Sequence, residues 1–161
     1  MTNEMIKDRI TEINHETLFE KFFTTNGRID RMTFLKRNLI LLLMFFLATV
    51  IIELCFFSYT LFGATLPDWT TAIYPCIMFA MLIPDYCLNT KRLQDLGKDS
   101  TLAKIFLGFG ILSNIHYCVF PNAISETNPL ILVEGFISLV FMAYLLFARG
   151  DENTNEYGDP K

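Results

Sequence analysis

Apolar residues along the chain are gathered into four long blocks, separated by short polar stretches. The blocks cover about residues 38–62, 69–88, 102–120 and 129–148. A helix needs roughly 20 apolar residues to cross the ~30 Å hydrocarbon core of a bilayer. A surface helix of a soluble protein would instead carry polar residues every three or four positions. The pattern therefore predicts an all-α, polytopic membrane protein built as a four-transmembrane-helix bundle.

The polar amino-terminal region has a helical pattern of its own. Thr17 and Glu20 have the spacing of a capping box, which begins a helix. The pattern predicts an amphipathic helix in the cytoplasmic interface, or alternatively a helix packed on a soluble partner. The apolar positions that recur at helical spacing are Met5, Ile6, Ile10, Ile13, Leu18, Phe19, Phe22 and Phe23.

The charges are segregated, although the net charge of −4 is that of an ordinary acidic protein. Of the 13 Lys and Arg residues, seven precede the first block, four lie between Lys91 and Lys104, and two follow the fourth block. The loops around Asp68 and Glu126 have none. Because positive charge stays on the cytoplasmic side, we expect both termini and the link at residues 89–100 to be cytoplasmic.

A set of charged residues recurs on that predicted cytoplasmic side. Arg92 and Asp95 are three residues apart and therefore neighbours on one helical face. Gly97 is placed to end the second helix, and Asp99 or Ser100 to begin the third. The set holds the helix ends together, with Tyr157 and Pro160 folding the tail against it, binds the phosphate of a lipid or partner, or retains the chain on anionic lipid. Its members are Arg28, Asp30, Arg31, Arg92, Asp95 and Lys98. We expect Arg92 and Asp95 to lie close to Arg28 or Arg31.

Three polar residues interrupt the apolar blocks at similar depth. Glu53, His116 and Glu134 fall in the first, third and fourth blocks, in the predicted outer half of the bilayer. A charge there costs several kcal/mol unless it is paired or hydrated. The three side chains either hydrogen-bond singly, form a paired structural cluster, or line a transport or metal site.

Several chemistries lack support in the sequence. It contains no nucleophile elbow, phosphate-binding glycine loop or HExxH motif. Its four cysteines form no C-x-x-C pair, and we expect them to serve as small buried apolar residues. The basic residues flank the apolar blocks and do not form a nucleic-acid surface. We therefore predict no metal, cofactor or nucleic-acid partner and favour a protein that is not an enzyme.

Three short motifs carry a resemblance to a known family. "TNGRIDRMTFLKRNL", "KRLQDLGKDS" and "DENTNEYGDP" resemble the entry, link and tail motifs of small bacterial inner-membrane proteins called domain of unknown function 805. Gln94 stands where a histidine is common in that family, and the tail is more acidic. The resemblance covers about residues 17–160, which implies a cytoplasmic extension, residues 1–16, followed by a four-helix membrane domain, residues 17–161. It implies a multi-pass protein of the bacterial inner membrane and no established activity or catalytic residue.

Three functional hypotheses follow. The first is a noncatalytic membrane scaffold or accessory protein, supported by the cytoplasmic motifs. The second is a small oligomeric transporter or channel that uses the Glu53, His116 and Glu134 layer. The third is an enzyme or binder of lipid head groups, supported by the basic face. Expected partners are membrane lipids and either further copies of the chain or another membrane protein.

Overall fold

Helices joined by loops and turns make up the described part of the chain. The structure is a computed structural model that describes residues 17–62, 73–119 and 129–159, without the side chains of residues 58–60, 117, 129–131 and 134. No strand occurs in these ranges, so the all-α prediction is confirmed. Residues 1–16, with the predicted apolar positions Met5, Ile6, Ile10 and Ile13, lie outside the described residues. The described helices are α1 Leu18–Phe23, α2 Arg31–Leu61, α3 Ile73–Asp95, α4 Thr101–Val119 and α5 Pro129–Phe147.

The capping box predicted for α1 is present. The Thr17 hydroxyl accepts a hydrogen bond from the Glu20 backbone N–H at 3.2 Å, and the Glu20 carboxylate accepts from the Thr17 N–H at 2.8 Å. Each residue thus satisfies a backbone donor that the first turn leaves without a partner. The Thr17 hydrogen bonds also lower the pKa of Glu20.

Helix α2 begins at Arg31, well before its apolar block, because Asp30 caps it. The Asp30 carboxylate accepts from the N–H groups of Thr33 at 3.1 Å and Met32 at 3.2 Å. The Asp30 carbonyl accepts from the Phe34 N–H at 2.9 Å. Apolar composition predicts which residues avoid water, whereas a cap determines where the helix starts.

One described helical segment, Arg31–Phe57, is long and apolar enough to cross a membrane. The segments Thr101–His116 and Gly135–Phe147 are apolar but shorter. Length and composition therefore single out one candidate span among the described residues. The bundle of four spans stays a prediction.

The charged link is a tight turn between α3 and α4. Helix α3 continues past its apolar block to Asp95. The Gly97 N–H then donates to the Gln94 carbonyl at 3.1 Å, and the Lys98 N–H donates to the Leu93 carbonyl at 2.9 Å. This pair of bonds is a Schellman motif, which needs a left-handed residue. Gly97 supplies it with φ +66°, as predicted, and Ser100 begins α4 by accepting from the Lys104 N–H at 3.0 Å.

The buried core lies at one end of the helices, where α2 and α4 begin and α3 and α5 end. We call it the cluster end. The Phe106 and Phe141 rings stack there, with centroids 3.9 Å apart. Among the described side chains, large apolar residues elsewhere on α2 and α5 are mostly exposed. The core residues are Phe22, Ile29, Phe34, Leu88, Leu93, Ala103, Phe141 and Leu145.

The cysteines correct one expectation. All four are free, but only Cys87 is buried, whereas Cys55, Cys76 and Cys118 are exposed on helix surfaces. Their apolar neighbours were a poor guide to burial, because apolar side chains of these helices face outward as well as inward.

Candidate functional site: a buried arginine cluster

Two guanidinium groups and one carboxylate are buried together at the cluster end. Arg28 lies just before α2, and Arg92 and Asp95 lie in the last turn of α3. These three residues, here called the arginine cluster, are 1%, 1% and 3% exposed. One carboxylate oxygen of Asp95 accepts from Arg28 Nε at 3.3 Å, and the other accepts from an Arg92 terminal nitrogen. The contact predicted between the link and the entry motif is therefore present.

Arg28 uses every hydrogen-bond donor that it has. A guanidinium carries five N–H groups. Nε–H binds the Asp95 carboxylate, and one Nη2 hydrogen binds the Asp95 carbonyl at 3.4 Å. The Asn153 carbonyl at 2.8 Å, the Gly158 carbonyl at 3.1 Å and the Asp151 carbonyl accept the other three. Arg28 consequently has no donor left for a ligand.

Arg92 joins the ends of three segments. Its Nε–H donates to the Leu145 carbonyl at 2.8 Å, and Nη2 donates to the Ala148 carbonyl at 2.6 Å, both at the end of α5. Nη1 donates to the Ile29 carbonyl at 3.4 Å and to Asp95. Burial lowers the pKa of Arg92, and the neighbouring Asp95 and Asp30 carboxylates oppose that effect.

The segment after α5, residues 148–159, is folded over the cluster, and we call it the tail. The Asp151 N–H donates to the Asp95 carbonyl at 2.7 Å, and the Asn155 side-chain amide donates to the Gln94 carbonyl at 3.1 Å. Asn155 and Gly158 exchange two backbone hydrogen bonds, which close a turn. Gly158 has φ +118°, a conformation that a residue with a side chain rarely adopts.

Helix α1 is attached to the same end of the bundle. The Lys91 ammonium donates to the Glu20 carbonyl at 2.5 Å, and Arg37 donates to the Lys21 carbonyl at 3.1 Å. Cations are favourable at the carboxyl end of a helix, where carbonyl groups lack partners. Phe22 is buried, whereas Leu18 and Phe19 are 75% and 66% exposed.

An open cavity of about 420 Å³ adjoins the arginine cluster. It lies between the start of α2 and the first residues of the tail. The Asp30 pKa is raised by partial burial but lowered more strongly by the Thr33 and Met32 hydrogen bonds, and its net shift is downward. The lining residues are Asp30, Arg31, Arg92, Asp95, Arg149, Gly150, Asp151 and Glu152.

Comparison with known families gives a match that covers most of the chain. A family model described as protein of unknown function (DUF805) matches residues 22–159. The chain belongs to the DUF805 family. No curated protein and no solved structure matches it. The match covers every residue of the arginine cluster and leaves out residues 1–21 and 160–161, so the cluster is a feature of this chain's DUF805 region.

The six charged residues predicted in the cytoplasmic set of this DUF805 protein occupy different environments. Arg28, Arg92 and Asp95 form the cluster, and Asp30 caps α2 beside it. Arg31 is exposed on the cavity wall. The Lys98 side chain is exposed, and its backbone N–H closes the end of α3. Whether the set also binds a ligand stays a prediction.

The polar layer predicted inside the membrane stays a prediction as well. Glu53 is exposed on α2, and His116 is partly buried on α4. The Glu134 side chain lies outside those described. Among the described residues, no group of three or more His, Cys, Asp or Glu could hold a metal ion.

Sequence reasoning missed several contributors to the cluster. Most acceptors for Arg28 and Arg92 are backbone carbonyls, which leave no signal in residue identity. Gly150 was missed too, although a Cβ there would overlap the Asp95 carboxylate, with Asp95 Cγ at 3.0 Å. The glycine and asparagine residues of the tail were a usable signal, because they favour turns.

Proposed function

We propose that this DUF805 protein is a multi-pass protein of the bacterial inner membrane, with both termini cytoplasmic, that acts as a noncatalytic scaffold or accessory protein. The observation that carries the proposal is the use of all five Arg28 donors within the chain. A catalytic or ligand-binding arginine needs a free donor for its substrate. Arg28 instead joins the start of α2, the end of α3 and the tail.

Membrane location is supported by the distribution of exposed apolar side chains. Soluble monomers seldom expose apolar patches above a few hundred Å². Leu42, Phe46 and Leu54 of α2, and Phe136 and Leu139 of α5, are each 59–68% exposed. Lipid is the environment in which such faces are stable. Fractionation tests this: the full chain should stay in the membrane pellet after an alkaline carbonate wash, whereas release into the wash would contradict it.

Replacement of Arg28 by Lys tests the structural role. Lysine keeps the charge but offers three donors from one point, which cannot span the five acceptors of the planar guanidinium. We expect Arg28→Lys to lower the unfolding temperature of the detergent-solubilised protein by several degrees, since buried donors and acceptors without partners cost about 1–3 kcal/mol each. Thermal unfolding followed by size-exclusion chromatography measures it.

The matched control is Arg31→Lys, because Arg31 is exposed at the adjacent helix start. This variant should unfold at the wild-type temperature. If Arg28→Lys is as stable as Arg31→Lys, Arg28 does not hold the fold and the scaffold proposal loses its support.

A further inference from the structure

The cavity beside the arginine cluster contains cationic groups that the fold does not use fully. Arg31 and Arg149 line it with exposed side chains. Arg92 also lines it and makes four hydrogen bonds to described residues, so one of its five N–H groups has no partner among them. A volume of about 420 Å³ lies within the usual range of small-molecule sites.

The electrostatics of the cavity favour an anion near the arginines. Burial is the main cause that lowers the pKa of Arg92, and the positive charge of Arg31 lowers it further. Two guanidinium groups thus repel each other at the cavity wall. A phosphate placed against both would relieve this repulsion and accept hydrogen bonds from each, as arginine forks commonly bind phosphate.

The carboxylates of the cavity divide into two groups. Both oxygens of Asp95 are paired with Arg28 and Arg92, and both oxygens of Asp30 accept backbone N–H groups of α2. Asp151 is partly buried, with one oxygen bound to the Asn153 N–H, and Glu152 is exposed. The two tail carboxylates therefore remain able to attract a cation near the phosphate position.

We propose that this cavity binds a phosphate group that carries an amine, the chemistry of a phosphoethanolamine head group. The phosphate lies against Arg31, Arg149 and the remaining N–H of Arg92, and the ammonium lies toward Asp151 and Glu152. The inference rests on the proposed membrane location, which puts the cavity at the cytoplasmic surface, where lipid phosphates lie. Basic pockets at this level are known to bind lipid head groups.

Binding of short-chain lipids to the full-length protein in detergent tests the proposal. Native mass spectrometry would compare short-chain phosphatidylethanolamine, short-chain phosphatidylglycerol, free phosphoethanolamine and inorganic phosphate. We expect the ethanolamine lipid to bind about tenfold tighter than the glycerol lipid, since one charge-assisted hydrogen bond has roughly that effect. Free phosphoethanolamine binding as tightly as the lipid would support the site and indicate a soluble ligand, whereas weaker binding would indicate a lipid ligand.

Two pairs of variants locate the site. The double variant Arg31→Gln, Arg149→Gln should weaken binding of both lipids by at least about tenfold, whereas Lys98→Gln, Lys104→Gln, which removes two exposed cations outside the cavity, should not. Glu152→Gln should weaken binding of the ethanolamine lipid alone. Glu156→Gln, an exposed acid of the tail outside the cavity, should leave it unchanged.

The outcomes separate this inference from the proposed function. Equal affinity of the wild type for both lipids, or equal loss in a site variant and its control, overturns the inference. If the chain nevertheless stays in the carbonate-washed membrane pellet, the membrane proposal stands. Release of the chain from the pellet removes the basis of both.

Discussion

At the residue scale, one carboxylate serves two buried cations, and backbone dipoles replace the missing second anion. Asp95 pairs with Arg28 and Arg92, so the arginine cluster keeps one excess positive charge. An uncompensated buried charge is costly. Carbonyl groups of Leu145, Ala148 and the tail accept hydrogen bonds from the guanidiniums and so take the role that water would have.

Gly150 is the residue whose substitution tests this packing most directly. An added Cβ would overlap the Asp95 carboxylate, which is held by two arginines and cannot move freely. We expect Gly150→Ala to destabilise the protein by about 1–3 kcal/mol, as overpacked sites do. The unfolding temperature should fall by roughly 2–4 °C for each kcal/mol.

Gly108→Ala is the matched control for that experiment. Gly108 lies within α4, and a Cβ there would meet no atom within 4 Å. Alanine in a helix is favoured over glycine by about 1 kcal/mol, so this variant should be as stable as the wild type or more so. Gly150→Ala with wild-type stability would show that Asp95 is not confined as described.

At the element scale, helix ends carry most of the specific interactions. The beginning of α2 depends on Asp30, whose pKa is lowered in the folded protein. A lowered pKa means that the carboxylate contributes stability above its ordinary pKa of 3.8 and loses that contribution as the pH falls through the folded value. Acidification should therefore weaken this cap.

Two substitutions of Asp30 separate the cap from its charge. Asp30→Ala should cost about 1 kcal/mol at neutral pH, and its deficit relative to the wild type should shrink as the pH falls below 3.8, the ordinary pKa of the carboxyl group. Asp30→Asn keeps an oxygen acceptor, so its stability at neutral pH should lie between that of the wild type and that of Asp30→Ala. Thermal unfolding across this range measures the differences, and a deficit of Asp30→Ala that does not change with pH would contradict the assignment.

The tail is the element on which Arg28 depends. Removal of residues 150–161 deletes the Asp151, Asn153 and Gly158 carbonyls, which accept three of the five Arg28 hydrogen bonds. Each buried donor left without a partner costs about 1–3 kcal/mol, so we expect the shortened chain to fail to accumulate as folded protein. Removal of residues 160–161 alone spares those acceptors and is the control. Equal yields of the two chains would show that the tail is not needed.

At the scale of the whole molecule, the hydrogen-bonded polar groups and the exposed apolar side chains lie toward opposite ends of the helices. The arginine cluster, the cavity, the tail and α1 all lie at the cluster end. Toward the other end, described apolar side chains of α2 such as Ile51, Leu54 and Phe57 are 60–64% exposed. This division is the observation that the proposed membrane location explains.

Reporter fusions test the orientation that the charges predict. A reporter fused after Lys161 should be active only as a cytoplasmic reporter, because the Lys and Arg residues flank that side. A reporter inserted near Glu126 should be active only as an exported one. The reverse pattern would overturn the orientation, and activity of the same kind at both sites would overturn the predicted number of spans between them.

The sequence by itself determined the helical class, the family, and the local signals at helix ends. Thr17 with Glu20, Gly97, and the Arg92–Asp95 spacing could be predicted because capping and helical spacing depend on residues only a few positions apart. The contact between the Arg28 motif and the Arg92 motif was predicted as well, because the distribution of charges puts both motifs on the same predicted side of the membrane.

Only the tertiary structure decided which arginines are used up and which remain available. Arg28 and Arg31 look alike in the sequence, yet one is fully bonded and buried while the other lines an open cavity. The difference arises from backbone carbonyls of Asp151, Asn153 and Gly158, more than 120 residues away along the chain. Every residue carries such a carbonyl, so its position in the fold, and not its identity, selects the guanidinium that it binds.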